Sequence, residues 1–333
     1  MRSFLGWLFA QAAGLRVAAY HRGWLRRERL AGPVVSVGNL GLGGSGKTPV
    51  VRRIVEILRE AGLPVAVLSR GYRGRFRGDA LVVSDGSGPL VSAAAAGDEP
   101  VMLARALPGV VVAVGRRRDR VGRAVEQRFG ERVHVLDDGF QHLRLARDLD
   151  VVCLDVHDLD DRPLPAGRLR EAPQAVERAQ LVLLTRLEAA SEDELQALEG
   201  RLGRERTFRV SRRVVGFRTL EGREAARPGR VFVLAAIARP ERVLHDVAGT
   251  GAIVVGHSFF RDHHPFRADE LSAGVARACT AGADALVTTA KDAVRLNGMP
   301  PSTLPVLVLE VAASIADEAR FRERLLQAVR RPS

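Results

Sequence analysis

The sequence predicts an α/β fold in which helices cover both faces of a mostly parallel sheet. Short apolar runs recur along the chain without polar alternation, and stretches with helical spacing separate them. Strands that are buried on both faces are apolar throughout, whereas strands with one solvent face alternate. The predicted strands are Val34–Gly38, Pro64–Ser69, Val110–Val114, Val133–Leu136, Val151–Asp155, Leu181–Thr185, Val231–Ile237, Ala252–His257, Ala285–Thr289 and Val306–Val311.

The predicted strands fall into two groups, which indicates two units. A length of 333 residues is enough for two units that each bury a core. A polar helix, Glu192–Gly203, precedes an Arg-rich stretch between the groups. We therefore predict a first α/β domain over residues 31–205, a linker over 206–230 and a smaller α/β domain over 231–333.

The composition is that of a basic globular protein. With 46% hydrophobic and 27% charged residues, the chain is neither disordered nor collagen-like. The 51 Lys and Arg residues exceed the 39 Asp and Glu residues, and the net charge of +12 favours a polyanionic partner: nucleic acid, a phosphorylated substrate or anionic lipid.

Lysine occurs only at Lys47 and Lys291, which suggests positions where a compact ammonium fits better than a guanidinium. Cys153 and Cys279 have no metal-binding spacing, as is usual in a reducing compartment.

Residues 1–30 have an apolar part followed by a basic part. The stretch Ser3–Leu15 is uncharged, but its 13 residues are fewer than the roughly 20 that span a bilayer. An amphipathic helix at the membrane interface and a helix packed on the domain surface are equally compatible with this pattern. The residues that would contact lipid are Phe4, Leu5, Trp7, Leu8, Phe9, Leu15, Arg22, Arg26, Arg27 and Arg29.

A phosphate-binding loop lies between the first predicted strand and the helix Pro49–Gly62. The pattern G-x-x-x-x-G-K-[ST] is complete and lies in the strand–loop–helix context that it requires. Backbone N–H groups of such a loop surround phosphates, the lysine neutralises the β- and γ-phosphates, and the hydroxyl binds Mg²⁺. The sequence therefore predicts a P-loop NTPase-like domain with a nucleotide site at Gly41, Leu42, Gly43, Gly44, Ser45, Gly46, Lys47 and Thr48.

Three further polar clusters are candidates for chemistry. Asp137 and Asp138 end a predicted strand, where one carboxylate can bind Mg²⁺ and the other support it; an Asp-Gly turn is the alternative. Asp98 opens a predicted helix, for which an N-cap is the usual explanation. His263 and His264 follow a strand in the second unit; such a pair usually lies on a surface loop and occasionally forms a metal site. Neither of the last two clusters predicts a function by itself.

Taken in chain order, the motifs resemble those of the tetraacyldisaccharide 4'-kinases, which phosphorylate the lipid A disaccharide of Gram-negative bacteria. The resemblance covers nearly the whole chain, to about residue 311. It rests on GNLGLGGSGKTP (Gly38–Pro49), SRGY (Ser69–Tyr72), GDEP (Gly97–Pro100), LDDGFQH (Leu136–His142), LPAGRLRE (Leu164–Glu171), IARPERV (Ile237–Val243), FRDHHPF (Phe260–Phe266) and TTAKDAVR (Thr288–Arg295).

The resemblance implies a lipid kinase that uses ATP and Mg²⁺. Its expected reaction is phosphorylation of the 4'-hydroxyl of tetraacyldisaccharide 1-phosphate, by a peripheral protein at the cytoplasmic face of the bacterial inner membrane. The implied fold has a P-loop kinase domain and a smaller α/β lobe, joined by a short β linker, with the active site in the cleft. An anionic membrane surface is then a further expected partner, and we expect a monomer.

The resemblance also implies roles for individual residues. Asp98 is the implied catalytic base, assisted by His263 and not His264. The remaining implied residues are Asp137, Asp138 and Gln141 near the metal and phosphates, and Arg70, Tyr72 and Arg170 as contacts to substrate or phosphate. Two positions depart from the family pattern: Ala290 replaces the glutamate of T-E-K-D, and Arg73 replaces a glycine after SRGY.

Two other functions are compatible with parts of the sequence. A membrane-associated P-loop ATPase switch would hydrolyse ATP without phosphorylating a lipid. A nucleic-acid-dependent NTPase is disfavoured, because the arginines are dispersed without a dense basic and aromatic stripe. We therefore expect no nucleic-acid partner.

Overall fold

The computed structural model describes residues 2–43, 46–300 and 302–330. Its helices are α1 (Arg2–His21), α2 (Lys47–Glu60), α3 (Ala93–Ala96), α4 (Asp98–Ala106), α5 (Arg118–Phe129), α6 (Glu192–Leu202), α7 (Glu241–Ala248), α8 (Ala268–Thr280), α9 (Ala290–Leu296) and α10 (Glu318–Val329). Its strands are β1 (Val34–Gly38), β2 (Val65–Ser69), β3 (Leu81–Asp85), β4 (Val111–Val114), β5 (Val133–Asp137), β6 (Leu149–Asp155), β7 (Leu181–Thr185), β8 (Thr207–Thr219), β9 (Glu224–Ala225), β10 (Arg230–Ala235), β11 (Ile253–Phe259), β12 (Ala285–Thr289) and β13 (Val306–Ile315). Short 3₁₀ helices span Asp158–Asp160, Pro173–Arg178 and Leu187–Ala189.

The strands form one 13-stranded sheet that extends through both halves of the molecule. Its order is β11-β10-β12-β13-β8-β7-β6-β1-β5-β2-β4-β3, and β9 pairs with β8. The pairs β3–β4, β8–β13 and β8–β9 are antiparallel, and the other pairs are parallel. The predicted α/β class with a mostly parallel sheet is therefore confirmed.

Strand β8 joins the two halves of the sheet. Its first residues, Thr207–Arg209, pair in parallel with β7, and Val210–Thr219 pair in antiparallel with β13. The segment 206–230, predicted as a linker, thus consists largely of paired strand. The sequence of this segment lacks the continuous apolar run of the other strands, because basic side chains interrupt it. These side chains occupy exposed positions such as Arg212 and Arg213.

The last helix packs against the first half of the sheet, although the sequence assigns residues 231–333 to the second unit. Phe321 and Leu325 of α10 are buried with Phe208 and Leu183 in the largest apolar core. The rings of Phe208 and Phe321 meet edge to face at 5.4 Å. The reason is the register of β13, whose last residue, Ile315, pairs with Val210 at the junction of the halves.

Helix α1 lies against the turn at residues 163–166, where Gly6 approaches Ala166 closely. Part of its apolar surface is exposed to solvent, including Trp7 (55% exposed) and Leu15 (69%). The side chains of Phe4 and Leu5 lie outside the described residues. Across the described part of the chain, no helix combines the length and the apolar character needed to cross a membrane.

Candidate active site

The phosphate loop connects β1 to α2 at the carboxyl edge of the sheet. Gly46, the residue before α2, has a φ of 73°, a left-handed conformation that glycine adopts without strain. A Cβ at Gly41 would lie 3.0 Å from Oδ1 of Asp158, so a larger residue would press on this buried carboxyl group. Gly44 and Ser45 of the predicted nucleotide site lie outside the described residues.

Lys47 is the first residue of α2, and oxygen acceptors surround its ammonium group. Its Nζ donates to Oδ1 of Asn39 at 2.9 Å and lies 3.5 Å from Oδ1 of Asp138. Asn39 in turn donates to the carbonyl of Gly41 at 2.6 Å and accepts at its own carbonyl from Gln141 at 3.0 Å. The structure therefore brings Lys47, Asp138 and Gln141 together, and Asn39, which the sequence analysis missed, connects them.

The two carboxylates at the carboxyl end of β5, Asp137 and Asp138, have different surroundings. Asp137 is buried and accepts a hydrogen bond from the Ser69 hydroxyl at 3.2 Å. Burial raises the pKa of Asp137 to about 7, and the carboxylates of Glu99 and Asp138 add to this rise. Asp138 has a φ of 56°, so the Asp-Gly turn is present, and this turn directs the side chain toward the phosphate loop.

Asp138 is held in its charged form. Burial favours the neutral form, but Lys47 and the Arg170 guanidinium, which donates to Oδ2 at 2.8 Å, outweigh burial and hold the pKa of Asp138 below its ordinary value. Oδ1 of Asp138 is buried and has no hydrogen bond besides its 3.5 Å ion-pair contact with Lys47, and Oε1 of Gln141 is buried without a hydrogen-bond partner. Two such oxygens beside a phosphate loop suit Mg²⁺, which typically binds one or two carboxylates together with phosphate oxygens and water. Among the described residues, no cluster of three or more His, Cys, Asp or Glu side chains could hold a metal ion.

Asp98 and His263 meet across the contact between the two halves. Nδ1 of His263 lies 2.8 Å from Oδ2 of Asp98, and Arg295 of α9 has its Nε 3.4 Å from the same oxygen. Burial opposes ionisation of Asp98, but the hydrogen bond from His263 and the charge of Arg295 hold its pKa below the ordinary value. The N-cap of α4 is Gly97 and not Asp98, so the interpretation of Asp98 as a helix cap is wrong.

The neighbouring histidine, His264, takes no part in this pair. Its Nε2 contacts Oε2 of Glu270 at 2.8 Å, and its ring stacks on Phe260 at 4.8 Å. His263 has a φ of 64° and donates its backbone N–H to the carbonyl of Ala236 at 3.1 Å. The left-handed turn at His263 therefore directs the side chains of the two consecutive histidines to different partners, Asp98 and Glu270.

The other predicted substrate residues lie along the same edge of the sheet. Tyr72 is 62% exposed and presents its ring to His263 edge to face at 6.2 Å. Arg70 is exposed directly after β2. Arg118, which the sequence analysis missed, is buried near Asp137 and Asp138, and burial lowers its pKa to about 10. The sequence feature that could have identified Arg118 is the run GRRRDR directly after β4, a basic cluster at the carboxyl end of a buried strand.

A cavity of about 670 Å³ opens on the other side of the phosphate loop, toward β7 and the second half of the molecule. Gly46 and Pro49 form one wall, the turn at Thr185–Glu188 another, and His245 and Asp246 of α7 lie opposite. The phosphate loop thus has acidic residues on its β5 side and an open cavity on its β7 side.

The family model described as Tetraacyldisaccharide-1-P 4'-kinase matches residues 3–330. The chain belongs to the tetraacyldisaccharide-1-phosphate 4'-kinase family. It is 46% identical over 300 residues to the tetraacyldisaccharide 4'-kinase of Anaeromyxobacter dehalogenans strain 2CP-C, covering 87% of this chain and 79% of that protein. It is 40% identical over 335 residues to that of Desulfotalea psychrophila, covering 97% and 95%.

A solved member of the tetraacyldisaccharide-1-phosphate 4'-kinase family has the same fold. The structure of LpxK from Aquifex aeolicus in complex with ATP superposes with a TM-score of 0.82 at 28% identity, and the match covers 98% of each chain. The P-loop kinase fold and the family that the sequence motifs predicted are therefore confirmed.

Proposed function

We infer that this protein is an ATP-dependent kinase that transfers the γ-phosphate to the 4'-hydroxyl of tetraacyldisaccharide 1-phosphate, a step of lipid A biosynthesis. Family membership over residues 3–330 is the observation that carries this conclusion. The geometry supports it, because a carboxylate held by a histidine lies at the same edge of the sheet as the phosphate loop. ATP is the phosphate donor and Mg²⁺ its companion ion.

The residues around the phosphate loop neutralise charge and hold the nucleotide. In this proposal Lys47 contacts the β- and γ-phosphates. Thr48 and Asp138 hold Mg²⁺, and Asp137 supports Asp138. An ion held there would supply positive charge that offsets the charge developing during transfer. Arg118 adds a buried positive charge, so the electrostatic stabilisation is in place before the reaction.

Asp98 is the proposed base for the sugar hydroxyl. Its carboxylate is ionised at neutral pH and hydrogen-bonded to His263, so it can accept the hydroxyl proton as the oxygen attacks phosphorus. Glu99, the next residue, is close enough to Asp137 to raise the pKa of that carboxyl, which supports a position of the start of α4 beside the proposed metal site. Arg70, Tyr72, Gln141 and Arg170 are proposed contacts to the substrate or the transferred phosphate.

The nucleoside end of ATP is proposed to occupy the 670 Å³ cavity. Asp138 and Lys47 lie on the β5 side of the loop and the cavity on its β7 side, so the γ-phosphate would be held toward β5 and the nucleoside would lie toward β7. Pro49 and the turn at Thr185–Glu188 would then border the ribose and base.

Helix α1 is the proposed membrane contact. Its exposed Trp7, Leu8, Phe9 and Leu15 would enter the headgroup boundary while the arginines that follow the helix meet anionic lipid. The acyl chains of the substrate would remain in the membrane while the sugar enters the cleft. We therefore propose peripheral binding to the cytoplasmic face of the inner membrane.

The test is incubation of the protein with γ-labelled ATP and tetraacyldisaccharide 1-phosphate, followed by chromatography of the extracted lipid. We expect the label in a bisphosphorylated lipid, and Lys47→Ala should abolish its appearance. Label found only in free phosphate would contradict the kinase proposal and would instead favour the ATPase switch.

A further inference from the structure

We propose that Lys291 is a positioning residue that fixes His263 as a neutral imidazole with its proton on Nδ1, so that this N–H is donated to Asp98. The inference rests on the proposed function, in which Asp98 accepts the proton of the sugar hydroxyl. It gives a role to the second of the two lysines in a chain that otherwise uses arginine.

The contacts of Lys291 determine which ring nitrogen carries the proton. Its Nζ lies 2.9 Å from Nε2 of His263 and 3.0 Å from Oδ1 of Asp262. An ammonium group donates hydrogen bonds and accepts none, so Nε2 must present its lone pair to Lys291. The single proton of the neutral ring is then on Nδ1, which faces Oδ2 of Asp98 at 2.8 Å.

Charged groups approach the imidazole from three elements. Asp98 comes from α4, Lys291 from α9, and Asp262 from the loop of His263 itself, with its Oδ2 3.7 Å from Nε2. Outside this ring of contacts, Arg295 of α9 lies against Asp98, Tyr72 faces the imidazole by its ring edge, and Arg73 donates to the backbone carbonyl of Asp262 at 3.4 Å.

The carboxylates of Asp98 and Asp262 would favour protonation of His263 if Lys291 were absent. Two carboxylates near one imidazole stabilise the imidazolium. Lys291 opposes both of them, because it occupies the lone pair of Nε2 and offsets the charge of Asp262. The consequence concerns Asp98: a neutral N–H orients the carboxylate, whereas an imidazolium would bind it as an ion pair and make it a weaker proton acceptor.

Lysine suits this position better than arginine. One compact ammonium nitrogen contacts both Nε2 and Oδ1, and the unbranched chain needs little space between α9 and the loop at residue 262. A guanidinium group presents a planar fork that is suited to carboxylates and phosphates and not to a single imidazole nitrogen.

The experiment compares the parent protein with Lys291→Met by NMR of ¹⁵N-labelled histidine, with His263 assigned from the signal lost in His263→Gln. In the parent we expect the Nδ1–H tautomer at neutral pH, and in Lys291→Met we expect the signal of the imidazolium at the same pH. The kcat of Lys291→Met should fall about tenfold more at about pH 6 than at about pH 8.5, while the KM for ATP stays within about twofold.

Two further variants separate this role from a structural one. Arg105→Met removes another cation from the contact of α4 with α9, where Arg105 donates to the carbonyl of Ala293 at 3.4 Å, and it should leave the tautomer and the pH profile unchanged. Lys291→Arg keeps the positive charge that offsets Asp262 and should therefore retain a neutral ring, while kcat falls because the guanidinium fits the imidazole nitrogen less well. Should Lys291→Met fail to fold, Lys291→Gln provides the same neutral comparison.

An Nε2–H tautomer in the parent protein would overturn the proposal, and so would a Lys291→Met ring that stays neutral with an unchanged pH profile. The NMR measurement requires no phosphoryl transfer. A failure of the lipid kinase proposal would therefore appear in the labelling experiment and not in the tautomer.

Discussion

The ammonium group of Lys47 lies 3.5 Å from the carboxylate of Asp138, and both belong to the site where the nucleotide is proposed to bind. Asn39 accepts a hydrogen bond from the same nitrogen at 2.9 Å, so the lysine side chain is fixed from two directions. The side chain is 14% exposed, which leaves little space for a broader group. This geometry gives a reason why an Arg-rich chain retains lysine here.

Lys47→Arg should therefore be nearly as damaging as Lys47→Ala. A guanidinium fork is wider than an ammonium group and would crowd the loop, Asn39 and Asp138, although it keeps the charge. We expect both variants to lose most of the kcat for lipid phosphorylation, as measured by label transfer. Activity of Lys47→Arg within about tenfold of the parent, equivalent to about 1.4 kcal/mol of barrier, would refute this explanation.

The sequence predicted those features that depend on local pattern. Apolar runs such as Leu181–Thr185 identified the parallel strands because both of their faces are buried. The phosphate loop and the carboxylates Asp98 and Asp138 were found because their motifs have a fixed order along the chain, and the roles of these residues remain proposals.

Features that depend on contacts between distant residues were missed. Phe321 is remote from Phe208 in the chain, and no local pattern shows that α10 packs against the first half of the sheet. Lys291 meets His263 only because α9 and the loop at residue 262 converge in the fold. Asn39 and Arg118 went unrecognised for a different reason: an isolated asparagine and an arginine in an Arg-rich chain give a weak signal.

Helix α1 provides a prediction about membrane binding, and the structure defines the change to make. Deletion of residues 1–30 would remove Leu30 from its core cluster and Glu28 from its ion pair with Arg123, and would therefore damage the fold. The substitutions Leu8→Glu and Phe9→Glu, combined, instead change two exposed apolar positions on α1. We expect weaker binding to vesicles that contain anionic lipid, and a higher KM for micellar substrate, with ATP affinity unchanged.

Vesicle sedimentation at low and high salt measures this effect. Binding by the parent should decrease with salt, because screening weakens the attraction between surface arginines and anionic lipid. As a control, Leu90→Glu changes an exposed apolar residue far from α1 in the sequence and should bind vesicles like the parent. If the doubly substituted protein still sedimented as fully as the parent at low salt, α1 would be a helix packed on the domain surface and not a membrane contact.

Asp158 provides a prediction about stability and pH. Burial, with Asp155 nearby, raises its pKa to about 6 from the ordinary value of 3.8. Between these values the folded protein retains a proton that the unfolded chain releases, so the free energy of unfolding falls as the pH rises through this window. The difference corresponds to at most about 3 kcal/mol.

Asp158→Asn should remove this pH dependence. Its amide oxygen can still accept the backbone N–H of Asp155, a contact of 3.1 Å in the parent. Urea unfolding at pH 4.5, 6 and 8 (values spanning roughly this window) should show the variant gaining stability over the parent as the pH rises. Asp160→Asn, an exposed position in the same 3₁₀ helix, is the matched control. A constant difference between Asp158→Asn and the parent at all three pH values would contradict the prediction.

The last prediction concerns Asp98 and His263 as a unit. Asp98→Asn keeps the shape of the side chain but removes the basic carboxylate that contacts His263 at 2.8 Å. Asp98→Asn and Asp98→Ala should therefore lose similar amounts of kcat, about 10²- to 10⁴-fold, as expected for loss of a general base. ATP binding, measured by calorimetry, should change little in either variant, because Asp98 makes no contact with the phosphate loop among the described residues.

His263→Ala should lose less activity than either Asp98 variant, because it removes a donor to the base and not the base itself. The double variant should then be no slower than the Asp98 single variant, since residues that act through one another give non-additive losses. A structural role of the same contact would instead produce additive losses, since each change would weaken the packing of α4 separately. Additive effects, or an Asp98→Asn protein with nearly normal kcat, would show that the 2.8 Å contact holds the two halves together without serving proton transfer.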